Sequence, residues 1–306
     1  MTTELTKEIR DILNHPWKRE LLFQDRVKWN KIWASLDTFD DTHKAITHYL
    51  NLDEFGPNDG GYLYIYGVLQ AINLQQDALK NLLSALFDKT IDWETEYPDL
   101  YKIREHRNDS IGHPSKRGND KSFHMIGRYS ISKVGFTLAS YFPKSGDKSK
   151  FEKIDLLKCI ESQSRLLNVI LTDTMNELTN EFKEHKKKFK GDKIRSKIPS
   201  TYDYHISKLF EHAYGNYPVV DMNFKIVKET IDNIKAEVTK RYFRTSALQG
   251  LEDTLNLIEY ILKRLEKTLI QNKISDENEL RIFIQSLRQN SQELFDMVDE
   301  IDTEFR

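Results

Sequence analysis

The sequence predicts a mainly α-helical fold: a helical bundle with a small β-hairpin insertion, followed by a C-terminal helical hairpin. Three observations carry this. Glycine (12) and proline (7) are sparse among 306 residues, which favours long helices over many-turned sheets. Apolar residues recur at steps of three and four along most of the chain. One stretch near 123–138 changes to a period of two, the signature of strands.

Residues up to about Leu52 read as two or three short helices, with Trp29, Ile32, Trp33 and Leu36 at helical spacing. "GPNDGG" at 56–61 is a turn in which Asn58 or Asp59 can cap the next helix. No Gly-Lys-Ser/Thr comes after it, so it is not a phosphate loop. A long helix spans Tyr62 to Phe87, with Ile65, Leu69, Ile72, Leu79, Leu82 or Leu83, and Leu86 on one stripe. "DKTIDWETEYPD" connects it to a second helix. That helix begins near Pro98, a suitable first-turn residue, and is closed by Gly112 and Pro114. After the polar loop "PSKRGNDKS", Phe123, Met125, Tyr129 and Ile131, then Val134, Phe136 and Leu138, form the expected hairpin. Helical pattern is expected again from Phe151 and Ile154 through Phe182.

The basic tract "KEHKKKFKGDKIRSK" at 183–197 ends near Pro199 and is the candidate boundary. One or two helices are expected between Tyr204 and Phe243. Two leucine-rich stripes then run from Leu248 to Leu269 and from Leu280 to Ile301, separated by "QNKISDEN". They predict an antiparallel hairpin or a zipper with another chain. The expected organisation is an N-terminal helical segment 1–56, a motif-bearing bundle 57–185 and a C-terminal helical region 186–306.

Composition sets outer limits. Hydrophobic residues make up 39% and charged residues 31%, which is enough for a real core. A formal charge of −2 gives no global signal of nucleic-acid binding. The single cysteine, Cys159, excludes an intramolecular disulfide and suggests a reducing compartment. The charged N-terminus lacks the apolar core of a signal peptide, and no apolar run approaches a membrane span, so a cytoplasmic location is expected. No Cys/His cluster, His-Glu-x-x-His helix, glycine-rich nucleotide fingerprint or Gly-x-Ser-x-Gly elbow is present. Neither a metal nor a cofactor is expected.

The chemistry concentrates in "REHRNDSIGHP" at 104–114. Arg107 lies four residues after Ile103 and four before Ile111, on the apolar face of its helix. A guanidinium there keeps its proton, and burying it unpaired is costly. It must snorkel, pair with a carboxylate or face a cavity that receives an anion. His113, beside the helix-ending Gly112, adds a titratable proton carrier. A fixed cation with a proton carrier is what phosphodiester cleavage requires.

Arg107-Asn108-Asp109-Ser110-Ile111-Gly112-His113 resembles the signature of HEPN-domain ribonucleases: arginine, a polar residue, then histidine a few positions on. The resemblance covers about 57–185 and leaves the C-terminal third unassigned. It implies a HEPN-like helical bundle that dimerises so that two motif copies face each other. It also implies metal-independent RNA cleavage and membership of a group rich in toxins, abortive-infection proteins and antiviral-defence effectors, with an antitoxin or activator protein as a further partner. Arg10 with His15, and Arg117 with His124, fit the same spacing. Only Arg107 and His113 combine the asparagine, the preceding long helix and the Gly-His-Pro stop.

The resemblance assigns Arg107 to phosphate binding and charge stabilisation, and His113 to general acid–base work. Asn108 would orient His113 or bind a phosphate oxygen. Asp109 would cap a helix or pair with Arg107. Lys116 and Arg117, just past the motif, are placed to touch substrate. His106 and Arg104 lie near enough to assist while decorating the solvent face. The alternative is a non-catalytic helical module that binds a protein or nucleic-acid partner and keeps Arg107 in a structural ion pair.

Overall fold

The structure, a computed structural model, describes residues 2–146, 148–212, 219–270 and 277–306. Among them eleven α-helices and one three-stranded antiparallel sheet are formed. The chain divides into two compact units. One holds the residues up to Asp11 with Asp25–Leu178; the other holds Ile12–Gln24 with Thr179–Arg306. Where the sequence reading places breaks at 56/57 and 185/186, compact packing separates the chain inside a single long helix and assigns a short N-terminal piece to the second unit.

The residues up to Leu50 form three helices, as expected, α1 (Thr2–Asn14), α2 (Pro16–Phe23) and α3 (Arg26–Leu50), but α3, in the first unit, is long, at 25 residues. The Asp25 side chain starts it by accepting from the backbone N–H groups of Val27 (2.9 Å) and Lys28 (3.0 Å). α4 (Tyr62–Phe87) takes the bounds that its stripe implies. Asp59 caps the preceding Pro57–Gly61 turn by accepting from the Gly56 N–H at 3.2 Å. Ile32, Leu36 and Phe39 of α3 are buried with Ile65, Leu69, Ile72 and Leu79 of α4, and Leu167 and Leu171 of α7 (Leu156–Lys187) are buried as well.

The motif helix is held to this core by polar bonds. Gln76 of α4 is fully buried. Its amide donates to the Leu100 carbonyl of α6 (Pro98–Arg107) at 3.2 Å and to Gln163 of α7 at 2.8 Å. Gln163 in turn donates to the Ile72 carbonyl at 3.0 Å. A satisfied buried amide network fixes register more strictly than apolar contact does. The expected connector between the two helices contains one helical turn, α5 (Trp93–Glu96).

The expected hairpin is a three-stranded sheet in the order β1 (Phe123–Ile126), β2 (Gly135–Phe142), β3 (Lys148–Asp155). Phe151 and Ile154, read as the start of a helix, lie in β3. Their three-residue spacing imitates a helix because the strand is a half-exposed edge with polar residues elsewhere. The 3.6-period stripe begins only at Leu156.

The second unit has its own core. α10 (Gln249–Leu265) and α11 (Glu277–Glu304) pack along their leucine stripes within one chain. Gly250 sits beside Met297, and Arg264 bonds Glu279 at 2.6 Å, so the two helices run antiparallel. The turn expected between them lies mostly outside the described residues. α2 (Pro16–Phe23), α8 (Tyr202–His212) and α9 (Val220–Tyr242) contribute Trp17, Ile206, Val227 and Ile234 to the same core. Arg241 is fully buried there, bonded to Glu237 at 2.9 Å and flanked by the Phe189 and Phe305 rings. This is the ordinary fate of an arginine in a core: a carboxylate accompanies it.

Candidate functional site

The motif helix α6 ends in a widened turn. Asn108–Gly112 is π-helical, closed by the His113 N–H donating to the Asn108 carbonyl at 2.7 Å. Such turns add one residue per turn and displace side chains from the regular helical faces. Here the turn lets Gly112 pass close to Arg107, where an added Cβ would stand 2.8 Å from Nη1. Glycine at 112 therefore leaves room for the guanidinium as well as ending the helix.

Arg107 is half-buried. Its Nε and Nη2 donate to the Gln70 Oε1 of α4 at 3.1 and 2.8 Å. Its Nη1 donates to Asn108 Oδ1 at 3.1 Å, and the Asn108 amide is anchored on Glu105 at 3.3 Å. Both acceptors are neutral amide oxygens. Among the described residues no carboxylate pairs with Arg107. A guanidinium has five N–H donors, so two remain, one on each terminal nitrogen.

The other Arg/His pairs of similar spacing differ in just this respect. Arg10 is bonded to Asp37 and Asp40, each at 2.9 Å. Arg117 is paired with both Glu105 and Asp109. Their charges are spent within the chain.

Several expected roles change. The Asn108 side chain holds Arg107 and is not bonded to His113. Asp109 pairs with Arg117 rather than Arg107, and also lies 3.5 Å from His124 Nε2. Arg117 therefore braces the motif turn against the segment that leads to β1. His106 does not decorate the solvent face: its side chain is 12% exposed and approaches Glu152 of β3 at 3.9 Å. Burial pushes its pKa below the ordinary 6.5. Arg104 bonds Asp77 of α4 at 2.8 Å. Lys116 is exposed, with Asp120 at 3.8 Å. The His113 imidazole is exposed and makes no hydrogen bond or ion pair among the described residues.

Behind the motif, His106, Asp109 and Arg117 meet His124, Ser122 and Ser140 around a cavity of about 260 Å³. His124 is buried, with Ser140 and Ser122 hydroxyls each 2.9 Å from its ring nitrogens. Burial lowers its pKa first, with the Arg117 charge adding to the effect. Cys159 is half-buried, and burial raises its thiol to about 11, so it is protonated near neutrality.

Gln70 escapes sequence reasoning because a glutamine on a helix carries no motif. The available signal was positional: Gln70 occupies the less buried side of α4, out of phase with the buried stripe of Ile65, Leu69 and Ile72.

Fold and site together define a mainly helical protein of two units, whose first unit presents an arginine on neutral partners at a widened helix end. No protein-family model, curated protein or solved structure matches the chain. No helix among the described residues is long and apolar enough to cross a membrane.

Proposed function

We propose that this protein is a metal-independent endoribonuclease of the HEPN type, acting as a toxin or antiviral-defence effector from a homodimer. The carrying observation is the Arg107 guanidinium. It is half-buried, positioned by two amide oxygens, free of any carboxylate among the described residues, and left with two N–H donors. A phosphate offers the anionic acceptors that this arrangement lacks.

In the reaction, an RNA 2′-oxygen attacks the adjacent phosphorus and forms a new P–O bond while the bond to the 5′-oxygen breaks. The products are a 2′,3′-cyclic phosphate and a 5′-hydroxyl. His113, an exposed imidazole next to the motif turn, takes the 2′-hydroxyl proton or delivers one to the leaving oxygen. The second copy of the motif supplies the opposite transfer. Arg107 stabilises charge that builds on the phosphoryl oxygens. Asn108 and Gln70 hold Arg107, and Lys116 contacts the substrate backbone.

Dimerisation through the exposed face of α4 would bring two motif copies together. Leu63 (73% exposed), Tyr66 and Leu74 lie on that face and bracket Gln70. Exposed apolar residues beside a polar site are the usual mark of an interface.

The test is digestion of RNA in EDTA by wild type, Arg107→Ala and His113→Ala. Wild-type cleavage with cyclic-phosphate ends, reduced at least about a hundredfold in each variant, is expected. Equal cleavage by all three proteins removes the assignment and leaves a helical interaction module. A requirement for metal removes the mechanism.

A further inference from the structure

The ribonuclease reading uses the motif turn and leaves the three-stranded sheet without a role. Successive side chains of a strand point to opposite faces. His124, Phe136, Leu138 and Ile154 lie on one face and are buried. The other face is different. Met125 pairs with Ala139, and Ala139 with Phe151, so one row crosses all three strands. The adjacent row sets Phe123 opposite Tyr141. Met125 is 57% exposed, Tyr141 38% and Phe151 67%, around the small side chain of Ala139. Large apolar side chains grouped in this way on a sheet face mark a binding surface.

Charge says what the surface fits. Residues 115–155 carry nine Lys and Arg against four Asp and Glu, a net +5 in a chain whose total is −2. Lys121, Arg128, Lys148 and Lys153 are exposed and form no ion pair among the described residues. Lys153 shares the face of Phe151, two residues along β3. Two copies of so basic a segment would repel one another. Single-stranded nucleic acid offers what both features need: π-faces for aromatic rings and phosphates for lysines.

We propose that this sheet face is a stacking platform for single-stranded RNA. Bases lie on Phe151 and Tyr141, Met125 widens the floor, and Lys153 meets the backbone. In naming RNA the inference rests on the ribonuclease reading. Asp109 of the motif turn lies 3.5 Å from His124 on the buried face, so the platform is on the opposite side of the sheet from the motif turn, and a strand bound to it passes the edge of the sheet to reach Arg107.

The test uses the full chain and a fluorescein-labelled 2′-O-methyl oligouridylate of about 12 nucleotides, longer than one stacking site requires. Methylation blocks attack by the 2′-oxygen, so binding is read apart from cleavage. Expected are salt-sensitive binding by fluorescence anisotropy and a loss of about tenfold for each of Phe151→Ala and Tyr141→Ala. Lys153→Ala should flatten the slope of log affinity against log salt by about 0.7. All these side chains are exposed, so circular dichroism should be unchanged.

Undiminished binding by the Phe151→Ala, Tyr141→Ala double variant overturns the platform. If wild type also cleaves RNA, the ribonuclease reading survives that result. Aromatic-dependent binding without any cleavage supports the platform and overturns the nuclease. A dimer that dissociates in the double variant, with RNA binding unchanged, identifies a second copy as the occupant and overturns the inference.

Discussion

The charge on Arg107 is useful only if it stays unspent. Gln70 and Asn108 orient the guanidinium through amide oxygens, which position a cation without cancelling its charge. Replacing Gln70 by Glu keeps the shape and adds the carboxylate that Arg10, Arg117 and Arg241 already have. Gln70→Glu should therefore cleave RNA at least about a hundredfold more slowly, with an unchanged or higher melting temperature. Cleavage at the wild-type rate would mean that the guanidinium has no role at the phosphate. His106 and His124 make a second residue-scale prediction. Burial holds both below their ordinary 6.5, so the unfolded chain binds protons more readily than the folded one. Their contribution to stability is complete above pH 6.5 and is lost as pH falls through that value toward their native pKa. Thermal unfolding measured at several pH values should show this decline, and His124→Asn should make it shallower.

Among the elements, the sheet depends on a close approach between strands. Gly135 opens β2 at φ 153°, and a Cβ there would stand 1.9 Å from the Ile154 carbonyl oxygen of β3. The Leu156 N–H meanwhile donates to the Val134 carbonyl at 2.8 Å, joining α7 to the same corner. No flexible side chain can yield at this contact, because the obstacle is backbone. Gly135→Ala should cost about 2 kcal/mol or more, read from chemical denaturation, and should weaken RNA binding if the sheet is the platform. The strand at the other side of that contact, β3, was illegible for a physical reason. Its apolar residues sit three apart, and five of its eight positions are charged, as befits an edge strand with one wet face. By contrast the bounds of α4 and the start of α6 were legible, since a continuous stripe and a first-turn proline carry their signals locally.

At the scale of the molecule, the proposed activity depends on a dimer. Leu63, Tyr66 and Leu74 expose an apolar band on α4, the helix that also supplies Gln70. Leu63→Glu should leave the fold intact, since Leu63 is 73% exposed, while shifting sedimentation from dimer to monomer and abolishing cleavage. Dimeric, fully active Leu63→Glu protein would place the interface elsewhere. Two cores, one in each compact unit, supply the burial that holds the chain. The basic tract at 183–197 belongs to the second unit. Lys187 is paired with Glu184, and Lys197 and Arg195 lie 3.4 Å from Asp192 and 3.6 Å from Asp299. Three of the eight Lys and Arg side chains of the tract are thus paired with carboxylates of the same unit, a common arrangement in solvated charge runs.

Local pattern by itself determined that the chain is mainly helical, where its longest early helix begins and ends, that a strand-forming insertion comes after residue 114, and which arginine stands four positions from both Ile103 and Ile111. Periodicity and capping act within a few residues, so they can be read without the fold. Only the tertiary structure decided which of the three spaced Arg/His pairs has an arginine without a carboxylate partner among the described residues. Whether a carboxylate or an amide lies opposite a guanidinium is settled by packing between helices: Gln70 and Arg107 are 37 positions apart yet 2.8 Å in contact. The same holds for the aromatic face of the sheet, which exists only once β1, β2 and β3 are in register.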